Sequence, residues 1–397
     1  MKNKFFCPLP WNHLMFKQRG TVQACCETYE DQFKPSETIL ETANNPIMRK
    51  LRLDMLDPNV TPDMCNVCVK REKVSSMSMR TIANNLHKKH WTHESAKAVT
   101  NKDGSVDNFH LEHLDIRWSN LCNYKCRFCK LSSSNSWLKD TKLLGMEPGP
   151  EFDPKTGIAE YDMDWNDLKT HLPYVRYVKL AGGEPTIMEG TYQLLQELVD
   201  IGNTQCLIAL ITNGTTIQYG KYNLIDLLDN FYRIKINFSL EGMGQRHAWA
   251  RSGKDDWDLI EKNIDYFLNM SNKDNWNFQF HSGVSWMNMF HLSDFILAYP
   301  NTTFVFNVVK TPPEMSIYNF YKEDLQRCSW HYEKQLPNAS TELAYKHLLQ
   351  VKEIIDNAVL SSDETIDMNE FRKVQGILDN SRNQSFALAY PEWSHYA

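Results

Sequence analysis

Residues 112–129 read EHLDIRWSNLCNYKCRFC. The first seven residues are a short β-rich run, and three cysteines follow at once, Cys122, Cys126 and Cys129, in a C-x3-C-x2-C loop. Five more runs of the same character lie downstream: VRYVKLA (175–181), QCLIALIT (205–212), YRIKINFS (232–239), WNFQFHSGVSW (276–286) and TFVFNVV (303–309). Segments such as TYQLLQELVDIG and WDLIEKNIDYFLNM separate them and suit helices. Strands alternating with helices pair in parallel through right-handed crossovers. Six such units are too few for a closed eight-fold barrel, so the fold class expected is α/β, a partial, open (β/α)6 barrel. An insertion rich in Gly, Pro and Asp occupies roughly 135–170, and the pattern turns helical after 310.

The N-terminal part differs. WNHLMF and TVQACC are two strand-like runs joined by KQRG, with Gly20 at the turn, which predicts a hairpin. Residues 44–57 place Ile47, Leu51, Met55 and Leu56 at helical spacing, with Pro46 in the first turn and Pro58 past the end. Residues 62–72 (PDMCNVCVKRE) read as a tight loop, and 99–108 as linking sequence. The expected organisation is a cysteine-rich module over 1–90, a linker over 91–109, the barrel over 110–312 and a helical extension over 313–397, whose tail FALAYPEWSHYA packs as an irregular arm.

The whole chain has 397 residues, enough for two or three units around one main core. Its 42% hydrophobic and 23% charged residues are those of a globular protein and argue against wholesale disorder. The net charge of −6 excludes a global basic footprint for nucleic acid. The locally basic stretch 70–91 reads as a solvated face. No apolar run approaches the roughly 18 residues of a membrane span, and the N-terminus has neither an uninterrupted apolar stretch nor a small-residue cleavage site. The expectation is a cytoplasmic protein with no membrane or nucleic-acid partner.

Ten cysteines in such a chain are unlike a disulfide framework. Cys7, Cys25, Cys26, Cys65 and Cys68 fall in the first fifth and the triplet in the second group, while Cys206 and Cys328 are isolated. Cys206 sits in an apolar strand and reads as a small buried hydrophobe. Clustered thiols point to metal or iron–sulfur binding. Three thiolates on one loop hold three irons of a cubane and leave a fourth iron open. The competing reading is a zinc knuckle, which needs a fourth ligand, for which the nearest local candidates are weak. Gly182, Gly183, Glu184 and Pro185 follow the second run; glycine admits close backbone approach, and a carboxylate can pair with a cationic group.

The loop CNYKCRFC after a strand, followed about fifty residues later by LAGGEP after the next, resembles the radical S-adenosylmethionine enzymes. The resemblance covers 110–310 as an ordered set of motifs. It implies that Cys122, Cys126 and Cys129 bind a 4Fe-4S cluster and that S-adenosylmethionine chelates the fourth iron. It implies further that Phe128 lies near the adenine, that Gly182, Gly183 and Glu184 meet the methionine moiety, and that Asn213, Ser239, Glu241, Arg251 and Asn307 contact the rest of the cofactor. These positions sit at the carboxyl ends of the expected strands, where barrel enzymes place chemistry. The activity implied is reductive cleavage of S-adenosylmethionine to a 5′-deoxyadenosyl radical that abstracts hydrogen from a substrate. No residue is singled out as hydrogen donor or base.

Cys7, Gly20, Cys25 and the pair Cys65-x2-Cys68 are similar to the auxiliary-cluster pattern of SPASM and twitch domains, although here the module precedes the barrel and the cysteines of a second auxiliary cluster are missing. The resemblance implies one auxiliary 4Fe-4S cluster on Cys7, Cys25, Cys65 and Cys68. Cys26 is an alternative to Cys25, and a structural zinc on the same four thiolates is the competing reading. It also implies an electron donor such as a flavodoxin or ferredoxin and a peptide or protein substrate. The alternatives are an RNA- or small-molecule-modifying radical enzyme and a non-enzymatic, zinc-stabilised binding module.

Overall fold

A computed structural model describes residues 5–28, 32–73, 78–252, 257–271 and 273–396. Part of the basic stretch 70–91, residues 74–77, lies outside the described residues. The chain divides into two compact units: Met1–Ser119, Ala159–Ala209 and Leu224–Arg233 form the first; Asn120–Ile158, Leu210–Asn223 and Ile234–Ala397 form the second.

In the first unit, β1 (His13–Lys17) and β2 (Thr21–Gln23) form the expected antiparallel hairpin. Gly20 closes it at φ +65°, with its N–H donating to Lys17 O at 3.0 Å. β3 (Gln32–Phe33) adds to β2. The pairing on the other side was not legible in the sequence: β1 runs parallel to β4 (His113–Ile116), His13 opposite His113, and β4 runs parallel to β5 (Tyr177–Leu180). Side chains alternate across these strands. Leu14, Phe16, Leu114, Ile116, Val178 and Leu180 supply buried apolar positions. His13, His113, Asp115 and Lys179 alternate with them and build a polar ladder.

The helix Pro46–Leu56 follows the spacing read for it, capped by Asn45, whose side chain accepts from Ile47 N–H. Residues 62–72 are not a loop. A 3-10 turn, Asp63–Cys65, which carries the acid Asp63, leads into a helix, Asn66–Glu72, with Lys70 and Arg71 in its last turn, charges that complement the helix dipole. The stretch 91–109 contains a further short helix, His93–Val99.

Residues of β6 (Leu207–Thr212) fall to both units. In the second unit, β7 (Gln218–Tyr219) and β8 (Tyr222–Asn223) make a small hairpin. β9 (Arg233–Ser239), β10 (Trp276–Val284) and β11 (Thr303–Val308) are parallel neighbours in that order. The crossover helix Trp257–Met270 buries Ile260, Ile264 and Phe267, and the Phe267 ring lies edge-on to Phe238 at 5.1 Å. The extension is helical as expected: Lys322–Gln335, Glu342–Ser361 and Met368–Arg382. Its tail is more ordered than an irregular arm, with helical turns at Phe386–Ala389 and Pro391–Tyr396. Trp393 anchors it, fully buried, and its indole N–H donates to Met287 O at 3.0 Å. The architecture is mixed α/β with parallel strands, consistent with a partial barrel, and no strand pairing among the described residues closes it.

Candidate functional site

The three core cysteines occupy one loop of the second unit. Backbone and side-chain donors shape it: Cys122 N–H donates to Asn135 Oδ1 at 3.0 Å, Ser136 Oγ to Cys122 O at 2.7 Å, and the Trp137 indole N–H to Cys126 O at 2.9 Å. Lys125 and Arg127 donate their backbone N–H groups to Arg251 O and Ala250 O, at 3.2 and 2.8 Å. The loop is thereby laid against the π-helical turn Ala248–Ser252. Phe128 is half-buried and packs against Cys122, Tyr124 and Cys126.

The electrostatics favour a thiolate at Cys126. Tyr124 N–H donates to Cys122 Sγ at 3.4 Å. Arg251 Nη1 lies 3.7 Å from Cys126 Sγ, and the same guanidinium grips Glu241 at both oxygens, Nη2 to Oε1 at 2.6 Å. A bidentate fork fixes orientation as well as charge. The Cys126 thiol is held below its ordinary range, chiefly by the hydrogen bond from Cys129 and also by Arg251. Cys129, the donor of that bond, is held well above it. Gly283 N–H donates to Glu241 Oε1 at 3.4 Å, and Asn288 Nδ2 to Glu241 O at 3.0 Å.

Asn213 is buried and its Nδ2 donates to Asn123 Oδ1 at 2.8 Å, so this position reaches the cysteine loop as well. Ser239, half-buried, ends β9 opposite His281. Asn307 is exposed on β11 opposite Gly283. In the first unit, Gly182 adopts φ +114°, and a side chain there would press within 3.0 Å of Arg117 Cβ. Gly183 N–H donates to Ser119 O at 3.1 Å. Glu184 is buried, and its Oε1 accepts from Thr186 N–H at 3.1 Å and Oγ1 at 2.8 Å, capping the turn Pro185–Ile187. The second unit thus gathers the cysteine triplet, Phe128, Asn213, Glu241 and Arg251.

The N-terminal cysteines fall together in the first unit. Burial pushes the Cys7 thiol far up, and nearby Cys65 and Cys68 raise it further. Burial likewise raises Cys25, with Cys26, Cys7 and Cys65 adding to it. Such mutual repulsion operates only at short range, so Cys7, Cys25, Cys65 and Cys68 are neighbours. Cys26 looks elsewhere: burial raises it, and Lys179, Asp115, Glu27 and Arg117 are the charges it feels. Among the described residues, no three His, Cys, Asp or Glu side chains converge on one point as ligands of a single metal ion. By number, burial and the donors that surround them, the core thiols fit a thiolate-ligated cluster.

Arg127, between two of the core cysteines, escaped the sequence reading. It is buried under the extension, donating to Gln375 Oε1 and Gln384 Oε1, both at 2.8 Å, and to Asp379. Its guanidinium lies 4.0 Å from the Trp249 ring centroid. Cys206 is buried as expected, its thiol donating to Asn203 O at 3.3 Å, and Cys328 is buried as well.

Residues 116–281 match the family model of the Radical SAM superfamily. A curated relative, the probable GTP 3′,8-cyclase of Sulfurisphaera tokodaii, is 27% identical over 155 residues, which are 39% of this chain and 42% of that protein. The match therefore spans less than half of that relative's length. Among solved structures, native anSMEcpe with bound AdoMet and Cp18Cys peptide gives a TM-score of 0.35 at 15% identity, covering 55% of this chain and 57% of that one. The form with Kp18Cys peptide gives 0.38 at 16%, covering 57% and 60%. Among the described residues, no helix is long and apolar enough to cross a membrane.

Proposed function

We propose that this chain, whose residues 116–281 match the Radical SAM superfamily model, is an iron–sulfur enzyme that cleaves S-adenosylmethionine reductively and turns the resulting radical on a substrate. The observation that carries the reading is the triplet Cys122, Cys126 and Cys129, the first two buried and the third half-buried, backed by a guanidinium 3.7 Å from one sulfur. These three thiolates would hold a 4Fe-4S cluster with one iron left for S-adenosylmethionine, and the bound pair supplies one-electron cleavage of a carbon–sulfur bond.

The chain's own residues do the rest. Arg251 puts positive charge beside the sulfur ligands, and Glu241 holds Arg251 in its plane. Phe128 offers an apolar face to an adenine. Gly182 and Gly183 let backbone approach the methionine moiety, and Glu184 supplies carboxylate there. Asn213 steadies the cysteine loop through Asn123, while Ser239 and Asn307 complete the cofactor contacts. Cys7, Cys25, Cys65 and Cys68 would hold one auxiliary 4Fe-4S cluster, and the charges that act on Cys26, first Lys179 and Asp115 rather than Cys7 or Cys65, support leaving it out of the ligand set. A flavodoxin or ferredoxin would deliver electrons, in the cytoplasm. The substrate we propose is a peptide or protein, on the similarity of the N-terminal cysteines to the SPASM and twitch pattern; the 27% match to a GTP cyclase favours a nucleotide as the second reading.

The test is anaerobic reconstitution, iron counting and a dithionite-driven cleavage assay. About eight irons per chain correspond to two cubanes. Cys122→Ala is expected to abolish cleavage, and normal cleavage by that variant refutes the assignment.

A further inference from the structure

The polar ladder of the first unit carries more positive charge than its own acids balance. Lys179 Nζ lies 3.0 Å from Asp115 Oδ2, and Arg117 Nε lies 3.8 Å from Asp115 Oδ1. The second distance is too long for a hydrogen bond. Arg117 Nε and Asp115 Oδ1 are both shut off from solvent, yet neither has a hydrogen-bond partner. A buried donor left in that condition costs stability unless an acceptor is supplied. Lys17 joins the group from the end of β1, where Arg117 N–H donates to Phe16 O at 3.0 Å. Its ammonium is held below the ordinary range, first by burial and then by repulsion from Arg117 and Arg19. Three cations, Lys17, Arg117 and Lys179, thus act together on one buried carboxylate, Asp115.

The place is as telling as the charge. Lys17 and Arg117 stand at the carboxyl ends of two parallel strands, where open α/β sheets bind ligands. The backbone of Gly182 lies against Arg117, with no room for a side chain between them. Arginine and lysine together suit an oxyanion: the fork gives direction, and the ammonium gives charge.

We propose that Lys17, Arg117 and Lys179, gathered around Asp115 at the ends of β1, β4 and β5, bind an oxyanion, a phosphate or a carboxylate. Assigning that anion to the substrate rests on the radical-enzyme reading; the binding itself does not. A carboxylate would come from a peptide's acidic side chain or C-terminus, and a phosphate from a nucleotide.

Isothermal titration of the holoprotein with inorganic phosphate and with acetate, against sodium chloride at matched ionic strength, tests the site. Saturable binding of either anion, beyond that of chloride, is expected, and the anion that binds identifies the source. Arg117→Gln and Lys17→Gln should each weaken it about tenfold or more, ~1.4 kcal/mol. Lys17 is only half-buried, so its variant keeps the test open if Arg117→Gln fails to fold. Binding of neither anion, or unchanged binding in a folded variant, overturns the proposal. Loss of the radical chemistry with anion binding intact would remove the word substrate and leave the site.

Discussion

Arg127 and Asp379 stand 252 residues apart and form an ion pair that fastens the cysteine loop to the last long helix of the chain. Arg127 is buried, and Asp379 also accepts from the Trp249 indole N–H at 2.8 Å and, through Oδ2, from Phe386 N–H at 2.7 Å. One carboxylate therefore ties together the loop, the turn that presents Arg251 and the C-terminal tail. Removing it strands a buried guanidinium, and breaking such a pair from one side costs about 3–5 kcal/mol. Asp379→Ala should unfold at markedly lower temperature and bind less core iron than a Glu370→Ala control. Wild-type melting and iron content in Asp379→Ala would show the extension to be mere ornament on the cysteine loop.

Cys25 and Cys26 are adjacent, but their thiols meet different company. Burial raises both thiols; Cys25 is raised further by Cys26 and then by Cys7 and Cys65, whereas beyond burial Cys26 feels Lys179 and Asp115 first. Cys25→Ser should cost about four irons per chain, and Cys26→Ser should cost none. Metal analysis of the two variants decides the point. Equal loss in both, or loss only in Cys26→Ser, contradicts the ligand set, and zinc in place of iron would make the N-terminal site structural.

Much of this molecule could be read before its fold was known. Six β-rich runs and their helical spacers gave the partial barrel because hydrophobic periodicity is local. The Cys-x3-Cys-x2-Cys loop was legible because its ligands are seven residues apart at most. What escaped was non-local. Nothing in WNHLMF says that His13 will lie opposite His113, a hundred residues away, since strand pairing is set by tertiary packing. Arg127 looked like spacer between cysteines, because its partners are Gln375 and Asp379 of the helix Met368–Arg382 and Gln384 just past its end, and no periodicity reveals that docking face. Residues 62–72 read as a loop because Pro62, Asp63 and the two cysteines are turn residues by type, while Lys70 and Arg71 in the last turn favour the helix that forms.

His13, His87 and His113 form a buried imidazole row that sets a pH limit on folding. His13 Nδ1 is 2.8 Å from His113 O, and His87 Nε2 is 3.4 Å from His113 Nδ1. Burial lowers all three: His13 and His87 to about 4, and His113 well below its ordinary value of 6.5. The unfolded chain thus binds more protons than the folded one below pH 6.5, and stability must fall as pH drops from there toward 4. Each fully buried histidine contributes roughly 2 kcal/mol of that loss by pH 5. Thermal melts at pH 7 and pH 5 should differ by about a third less in His13→Gln than in the parent, since His87 and His113 remain. An identical pH dependence in the two proteins would rule out this row as the cause.

The Glu241–Arg251 fork makes the sharpest demand on side-chain identity. Arg251 must reach the Glu241 carboxylate and Cys126 Sγ together, and only a planar guanidinium presents donors in both directions. Arg251→Lys keeps the charge but not the fork. Glu241→Gln keeps the shape but leaves the buried guanidinium without its counter-charge. Both variants should retain iron while losing tenfold or more in S-adenosylmethionine cleavage, ~1.4 kcal/mol or greater. The two should also differ in one respect. Glu241→Gln lets positive charge act undiminished on the cluster ligands, and so should raise the potential of the core cluster, whereas Arg251→Lys should move it little. Redox titration followed by electron paramagnetic resonance measures this directly. Equal potentials in both variants and the parent, together with undiminished cleavage, would mean that the fork serves packing alone.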